Sequence, residues 1–447
     1  MIEVDAAIIG GGFSGCAVAA NLSRSAPPGF ALAIFEPAEL GRGAAYGTRH
    51  AEHLLNTRAR QMSCFSDEPG HFVAWLGPRG GPEDFVSRRL YGDYVVDVAA
   101  RALARSRFMH IADRVASVRR FGEIFLLETS SGIRFGTRAV VLAIGNALPD
   151  DAFLPPGLRL HPGYVADPWR FDYRGVGGHV LIIGSGLTSL DVLVALKASG
   201  HRGRVHVLSR RGRYPEVHAN VGQYDVIPAL DVQNARALLR SFRRHVKDAA
   251  ARGFDWRAVV DAIRPETEAI WRRVEPREQR RFERHLRSHW DRRRHRAPQQ
   301  VDAVREEYAQ DGRLHTHSGK LLTMERGVAT IALRGGGTIE LRPDWIFNCA
   351  GLGRASALKR DPMISSLLDQ GAISIDRRGL GLSVTPDLYA VDAAGEMVPH
   401  LWILGSPVRG SRFEATAVPE LRVMAEDVAS EIARRAHSRA VAMGAYT

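Results

Sequence analysis

Three glycines spaced as GxGxxG (Gly10, Gly12 and Gly15) follow an apolar run from Val4 to Ile9 and lead into the small residues Cys16 to Leu22. Each has a physical task in a strand–turn–helix unit. Gly10 allows the tight turn, Gly12 lets the backbone approach a pyrophosphate, and Gly15 lets the helix pack closely on the strand. A phosphate held there also meets the positive end of the helix. Ser14 lies within the same turn. A second apolar run, Phe30 to Phe35, ends in Glu36, 21 residues after Gly15. A carboxylate at that place accepts hydrogen bonds from ribose hydroxyls. The chemistry these residues point to is dinucleotide binding.

The pattern occurs twice. Val180 to Ile183 reads as a strand, Gly184-Ser185-Gly186-Leu187-Thr188-Ser189 as the turn, and a helix follows through Leu196. Ser189 takes the third glycine's place. The next strand, Val205 to Leu208, ends in Ser209-Arg210-Arg211 where the first copy has Glu36. Glu36 would repel a 2′-phosphate, so the first copy suits FAD or NAD. Ser209 with Arg210 or Arg211 would welcome one, so the second suits NADPH.

These residues need a scaffold, and the pattern supplies an α/β one: two Rossmann-like dinucleotide-binding domains with a helical insertion. Residues 115–136 alternate as a small β-meander. Ala139 to Gly145 (AVVLAIG) reads as a buried strand ending in a glycine, and Trp345 to Gly351 (WIFNCAG) as its later match. Asn146 to Pro156 reads as a hinge. The expected division is 1–150 for the first part of the FAD domain, 151–231 for the first part of the NADPH domain, and 232–308 for a basic helical segment. Residues 309–343 then supply return strands of the NADPH domain and 344–447 the rest of the FAD domain. Within the helical segment Phe242, Trp256, Val259, Val260 and Ile263 recur at helical spacing, as do Trp271 with Val274, and Phe282, Leu286 and Trp290. The three tryptophans are read as core anchors. Short strands are expected at Val328 to Arg334, Thr338 to Leu341, Leu388 to Val391 and Leu401 to Leu404, and a last helix over Pro419 to Arg435.

Composition narrows the rest. Of 447 residues 45% are apolar and 25% charged, an ordinary globular balance. No apolar run is long enough to span a bilayer, and the opening MIEVDAAIIGGG enters a strand at once, so a cytoplasmic protein without a signal peptide is expected. The three cysteines, Cys16, Cys64 and Cys349, lie far apart. That argues against a disulfide scaffold, a thiol–dithiol centre and a structural zinc site, and no metal is expected. The net charge of +12 is mostly local: Arg236 to Arg296 carries 19 Lys/Arg against 9 Asp/Glu. A solvated helical face explains that excess better than a nucleic-acid surface. Oligomeric state is not legible.

Beyond these patterns, Gly41-Arg42-Gly43-Ala44-Ala45-Tyr46-Gly47, the run from His53 to Phe65 (HLLNTRARQMSCF) and Arg89-Leu90-Tyr91-Gly92-Asp93-Tyr94 resemble a bacterial family of FAD/NAD(P)-binding proteins labelled NAD(FAD)-dependent dehydrogenases. Asp167-Pro168-Trp169, Arg294-His295-Arg296 and the run Glu414 to Glu420 extend the resemblance over essentially the whole chain. Relatives of that family look like flavin-dependent N-hydroxylating monooxygenases, including ones that oxidise the amine of aspartate. The resemblance implies FAD and NADPH as cofactors. It also suggests an approach to the flavin ring by Asn56, Arg58 and Met62.

With no cysteine pair, electrons from NADPH would leave the flavin for O2, as in a C4a-hydroperoxide monooxygenase, or for a second small acceptor. The reading taken is N-hydroxylation of a small amine or amino acid by O2. One alternative is a reductase passing electrons to a quinone or other acceptor; another is a flavin-bearing protein that binds a polyanion. Asn56, Arg409 and Arg412 are the candidate catalytic residues, the arginines (with Glu414) for a substrate carboxylate or amine. Gly145, Gly405 and Thr416 complete the candidate cofactor-binding set. The stretch Gly405 to Thr416 could offer backbone N–H groups to the reduced ring. Phe153, Gly157 and His161 fall near a monooxygenase Phe-x-Gly-x-x-x-His fingerprint, but the first gap is two residues too long. His161 is read as a hinge histidine with a backbone partner, and Cys64 as a small buried filler.

Overall fold

The computed structural model describes residues 1–105, 107–149, 151 and 153–444. The chain forms two units, Met1–Asp150 with Leu352–Thr447, and Asp151–Gly351.

The first unit grows from the strand Ile2–Ile9. Its neighbours are Leu32–Phe35 on one side and Arg134–Leu142 on the other, all parallel. Phe108–Ile111 extends the sheet beyond Leu32–Phe35, and Met397–Ile403 extends it beyond Arg134–Leu142, again in parallel. Tyr389–Val391 closes that edge antiparallel. Every residue of Leu32–Phe35 is buried, as a parallel strand covered on both faces requires. The helix Phe13–Ser25 returns along the sheet and packs against both the long last helix, Val418–Gly444, and the helix Arg88–Leu103. Ser87 caps the latter, its hydroxyl accepting from the Leu90 N–H at 3.1 Å.

The meander is present as Val115–Phe121, Ile124–Thr129 and Arg134–Leu142. Its third strand and the buried run AVVLAIG are one strand, antiparallel to the meander on one side and parallel to Ile2–Ile9 on the other. That strand stops at Leu142, and Gly145 lies beyond it with φ +69°.

The second unit repeats the plan. Its sheet runs Thr338–Leu341, Val328–Leu333, Leu314–Glu325, Val205–Ser209, Val180–Ile183, Trp345–Asn348 and Tyr164–Val165. The last five are mutually parallel and the first two form an antiparallel hairpin on Leu314–Glu325. Two corrections follow. The strand Trp345–Asn348 pairs with Val180–Ile183, with Ile346 and Phe347 fully buried there, so the boundary falls after Gly351 and not before residue 344. The strand Leu314–Glu325 had no counterpart among the expected strands, because its first half alternates polar residues.

The helical segment is an elaborated crossover between Val205–Ser209 and Leu314–Glu325. Its final helix, Gln299–Gln310, packs on Leu187–Ala198 and completes the nucleotide module, so the expected basic segment 232–308 ends before it. Trp271 is buried against Phe282. Trp256 is only half-buried, with the guanidinium of Arg257 4.6 Å from its ring centroid. Many arginines of the segment are paired inside the unit. Arg296 meets Asp261, Arg292 meets Glu216, and Arg287 meets Asp291 at 2.7 Å. No helix among the described residues is long and apolar enough to cross a membrane.

Candidate functional site

In the first unit Gly10 sits at φ +104°, and a Cβ on it would stand 2.4 Å from the Ala143 carbonyl oxygen. A Cβ on Gly15 would stand 2.0 Å from the carbonyl oxygen of Gly10. Gly12 has room around its Cα, facing only Gly43. Close packing at the first and third glycines with an open second one is the geometry a pyrophosphate needs. Glu36 leaves the end of its strand and turns back to this loop. One carboxylate oxygen accepts from the Gly11 N–H at 3.0 Å and the other from the Ala38 N–H at 3.1 Å.

The second unit builds the same turn from different residues. Gly184 has φ +107° and lies against the Cys349 carbonyl oxygen, as Gly10 lies against Ala143. The Gly184 N–H donates to Leu208 at 2.8 Å, as Gly10 donates to Phe35 at 2.9 Å. Ser189 replaces the third glycine; its side chain is fully buried and its hydroxyl donates to the Gly186 carbonyl at 2.6 Å. Where Glu36 meets Gly11, here the Ser185 hydroxyl donates to Ser209 at 2.8 Å. Ser209 is the last strand residue, and Arg210 just beyond it is exposed. An open groove of about 340 Å³ beside it is lined by Arg210, Lys320 and Arg334 with Gly319, Ala332 and Leu333. Arg211 is differently placed: it is half-buried and donates to His289 Nε2 at 2.5 Å. Burial first, and then Arg211 and its neighbouring arginines, hold the His289 imidazole below its usual range. A neutral ring accepting from a guanidinium fits both facts. Lys320 and Arg334 escaped the sequence reading because they arrive from remote strands without a motif.

Of the segments that carry the family resemblance, those within residues 41–94 come together in the first unit, whereas Asp167-Pro168-Trp169 and Arg294-His295-Arg296 belong to the second. Gly41 donates to the Gly11 carbonyl at 2.8 Å, and Arg42 pairs with Asp93 at 2.7 Å. Tyr94 OH accepts from the Cys64 N–H at 3.1 Å and shares a 2.8 Å hydrogen bond with His71. Leu55 and Ala59 donate to the carbonyls of Val86 and Asp84, which fixes the loop carrying Asn56. Asn56 and Arg58 are half-buried; Arg58 pairs with Glu83 at 3.1 Å. Met62 is buried in the core.

Gly405 follows the strand Met397–Ile403 with φ +87°, and its Cβ position is 3.3 Å from the Ser14 hydroxyl. The C-terminal stretch is thereby brought onto the first glycine turn, at the carboxyl ends of the strands. Arg409 donates to the carbonyls of Leu380 at 3.1 Å, Leu352 at 3.2 Å and Gly353 at 2.5 Å. Arg412 donates to Pro386 at 2.5 Å. Both arginines clamp neighbouring loops through backbone carbonyls, a job that spacing alone did not reveal. Val408, Arg409, Ser411, Arg412 and Thr416 direct their N–H groups to carbonyls of the same stretch. Glu414 is buried with φ +62°, and Thr416 is exposed just ahead of the last helix.

The three cysteines are free and buried. Burial pushes the Cys64 thiol up to about 12 and raises Cys16 and Cys349 as well, so none is a ready thiolate. His161 Nδ1 accepts from the Gly163 N–H at 3.1 Å, the backbone partner expected of a hinge histidine.

Two glycine turns at the carboxyl ends of the parallel strands of two mixed sheets define the fold class of FAD- and NAD(P)-dependent oxidoreductases. Residues 7–147 match the family described as FAD-NAD(P)-binding. No curated protein matches the chain. Among solved structures it is similar to the ornithine N-hydroxylase of Kutzneria sp. 744 with reduced FAD, NADP+ and L-ornithine, at 15% identity and a TM-score of 0.59. It is also similar to L-lysine 6-monooxygenase from Pseudomonas syringae, at 18% and 0.59, and to bacillithiol disulfide reductase from Bacillus cereus, at 17% and 0.58. Each similarity covers 97% of this chain and 99% of the other.

Proposed function

We propose that the first unit holds FAD and the second NADPH, and that the protein is a monooxygenase that N-hydroxylates a small amine or amino acid. The observation that carries the cofactor assignment is the contrast between the two strand ends. Glu36 presents a carboxylate to one turn, while Ser209 meets the Ser185 hydroxyl of the other and Arg210 beyond it lines a groove with Lys320 and Arg334. The residues present fit both groups. Gly10, Gly12, Gly15 and the Ser14 hydroxyl would cradle the FAD pyrophosphate, and Glu36 its ribose. Gly184 and Gly186 would do the same for NADPH, with Ser209 and Arg210 at the 2′-phosphate. Gly145, just past the strand that ends at Leu142, and Gly405, beside the Ser14 hydroxyl, would complete the FAD-binding set.

Bound FAD would supply hydride acceptance from NADPH and electron transfer to O2. The reaction consumes NADPH, a proton, O2 and the amine, and yields NADP+, water and the hydroxylamine. The chain's own part is to bind and orient. Asn56, Arg409 and Arg412 are the candidates to hold the substrate, and the two arginines also tie down the loops at 352–353, 380 and 386. The acceptor must come from outside the chain, because all three thiols are buried and protonated. Full-length similarity to two amine-oxygenating enzymes supports O2 in that role. Incubation with NADPH, O2 and a panel including L-ornithine, L-lysine and L-aspartate tests this. One amine should raise NADPH consumption in step with a product heavier by one oxygen atom. NADPH consumption raised only by quinones would favour the reductase reading instead.

A further inference from the structure

The second unit carries a cluster of imidazoles that nucleotide binding does not use. His315 and His317 lie two residues apart on the strand Leu314–Glu325, so both point to the same face of the sheet. His206, on the adjacent parallel strand, is the direct register partner of His315. The His206 ring centroid is 5.0 Å from that of His315 and 5.3 Å from that of His317. His179, just before the next strand, is exposed and its ring lies 6.4 Å from His206. All four belong to one unit, toward the amino-terminal ends of its strands and away from the Gly184 turn.

This is an unusual way to fill a sheet face. Leu181, Ile183 and Leu208 continue the same face as a hydrophobic core, where further aliphatic residues would be the ordinary choice. The rings instead present paired nitrogens. His206 Nδ1 and His317 Nε2 are 3.0 Å apart and share one hydrogen bond. His315 Nε2 is buried without a hydrogen-bond partner among the described residues, an arrangement that disfavours the fold unless something else satisfies the nitrogen.

We propose that His206, His315 and His317 form a binding site for a divalent transition metal of the zinc class, with His179 at its rim as a fourth imidazole. Two histidines at i and i+2 of a strand with a third on the neighbouring strand put three nitrogens on one side of one surface. Zinc–nitrogen bonds of about 2.0–2.1 Å in tetrahedral geometry set ligand nitrogens about 3.3 Å apart. The His206–His317 separation is already near that edge. The His315 and His317 rings stand within 20° of parallel to that of His206, and the nitrogens of the three do not all lie within 4.8 Å of one another. Coordination therefore replaces the shared hydrogen bond and requires the rings to turn toward a common point. An all-imidazole set suits Zn2+, Cu2+ or Ni2+ and not Ca2+ or Mg2+, which take oxygen ligands. The metal would tie three neighbouring strands of the nucleotide-binding sheet together.

The test uses the untagged full-length protein, stripped with chelator and dialysed against Zn2+ or Co2+. The expected result is about one metal ion retained per chain, a visible Co2+ absorption typical of tetrahedral nitrogen coordination, and a higher Tm with Zn2+. His317→Gln and the double variant His315→Gln with His317→Gln should weaken retention at least about tenfold. The exposed His285→Gln should not. Folding of each variant is checked by circular dichroism. A folded wild-type protein that gives no tetrahedral Co2+ spectrum overturns the proposal, whatever the variants do. Retention that survives the double variant overturns it too.

Discussion

The arginines after the second module's strand are not equivalent, and their replacement separates a 2′-phosphate site from a merely basic surface. Arg210 is exposed and lines the groove with Lys320 and Arg334, whereas Arg211 donates to His289. A hydrogen bond to a charged group contributes about 1.5–3 kcal/mol. An exposed guanidinium with two other cations nearby belongs at the lower end. About 1.4 kcal/mol corresponds to tenfold in affinity. Arg210→Ala should therefore weaken NADPH about tenfold and leave NADH within about twofold, since NADH lacks the phosphate. Arg211→Ala should change the NADPH-to-NADH ratio little, because its partner is an imidazole within the protein. The assay is anaerobic flavin reduction against nucleotide concentration for both nucleotides. Equal weakening of NADPH and NADH by Arg210→Ala would refute the reasoning. So would a larger discrimination effect from Arg211 than from Arg210.

Other expectations follow from single contacts. Gly15→Ala puts a Cβ 2.0 Å from the Gly10 carbonyl oxygen; overpacking of this kind costs about 1–3 kcal/mol, so flavin content and Tm should both fall, and full FAD occupancy at wild-type Tm would contradict the turn's role. The Glu431 carboxyl, hydrogen-bonded by Arg434, Arg435 and Tyr389, is lowered to about 2. A carboxyl lowered by folding contributes stability above its unfolded pKa, and that stability is lost as pH falls through the folded value. Glu431→Gln should thus flatten the acid limb of urea stability between about pH 4.5 and 2, and an unchanged limb would discount the cluster. Native protein at mildly alkaline pH should react slowly with a thiol reagent at Cys16, Cys64 and Cys349, and unfolded protein at all three; rapid native labelling would reopen a thiol route for the electrons.

Much of the fold could be read because each module announces itself locally, as strand, glycine turn and helix within a few dozen residues. Gly10, Gly15 and Gly184 are required by contacts with nearby carbonyls, so their spacing alone locates them. The boundary at residue 351 could not be read the same way. AVVLAIG and WIFNCAG look alike, and only pairing with Val180–Ile183 assigns the second run to its own unit. The strand Leu314–Glu325 was hidden because its histidines, threonine and serine break the apolar alternation that identifies a strand. The same histidines are the proposed metal ligands, and no cysteine spacing marks them in the sequence. Arg409 and Arg412 looked free to hold substrate because their partners are backbone carbonyls, which leave no signature in side-chain sequence. The groove beside Arg210 likewise depends on Lys320 and Arg334 being folded next to it.

On the proposed function, electrons from NADPH pass through FAD to O2, which gives one oxygen atom to the amine and the other to water. The most direct test is stopped-flow mixing of the NADPH-reduced holoprotein with oxygenated buffer, followed from the near ultraviolet to the blue. A transient species is expected before the oxidised flavin spectrum returns, with a decay hastened by one of the candidate amines. Direct return of oxidised flavin at a rate no amine alters would contradict that route.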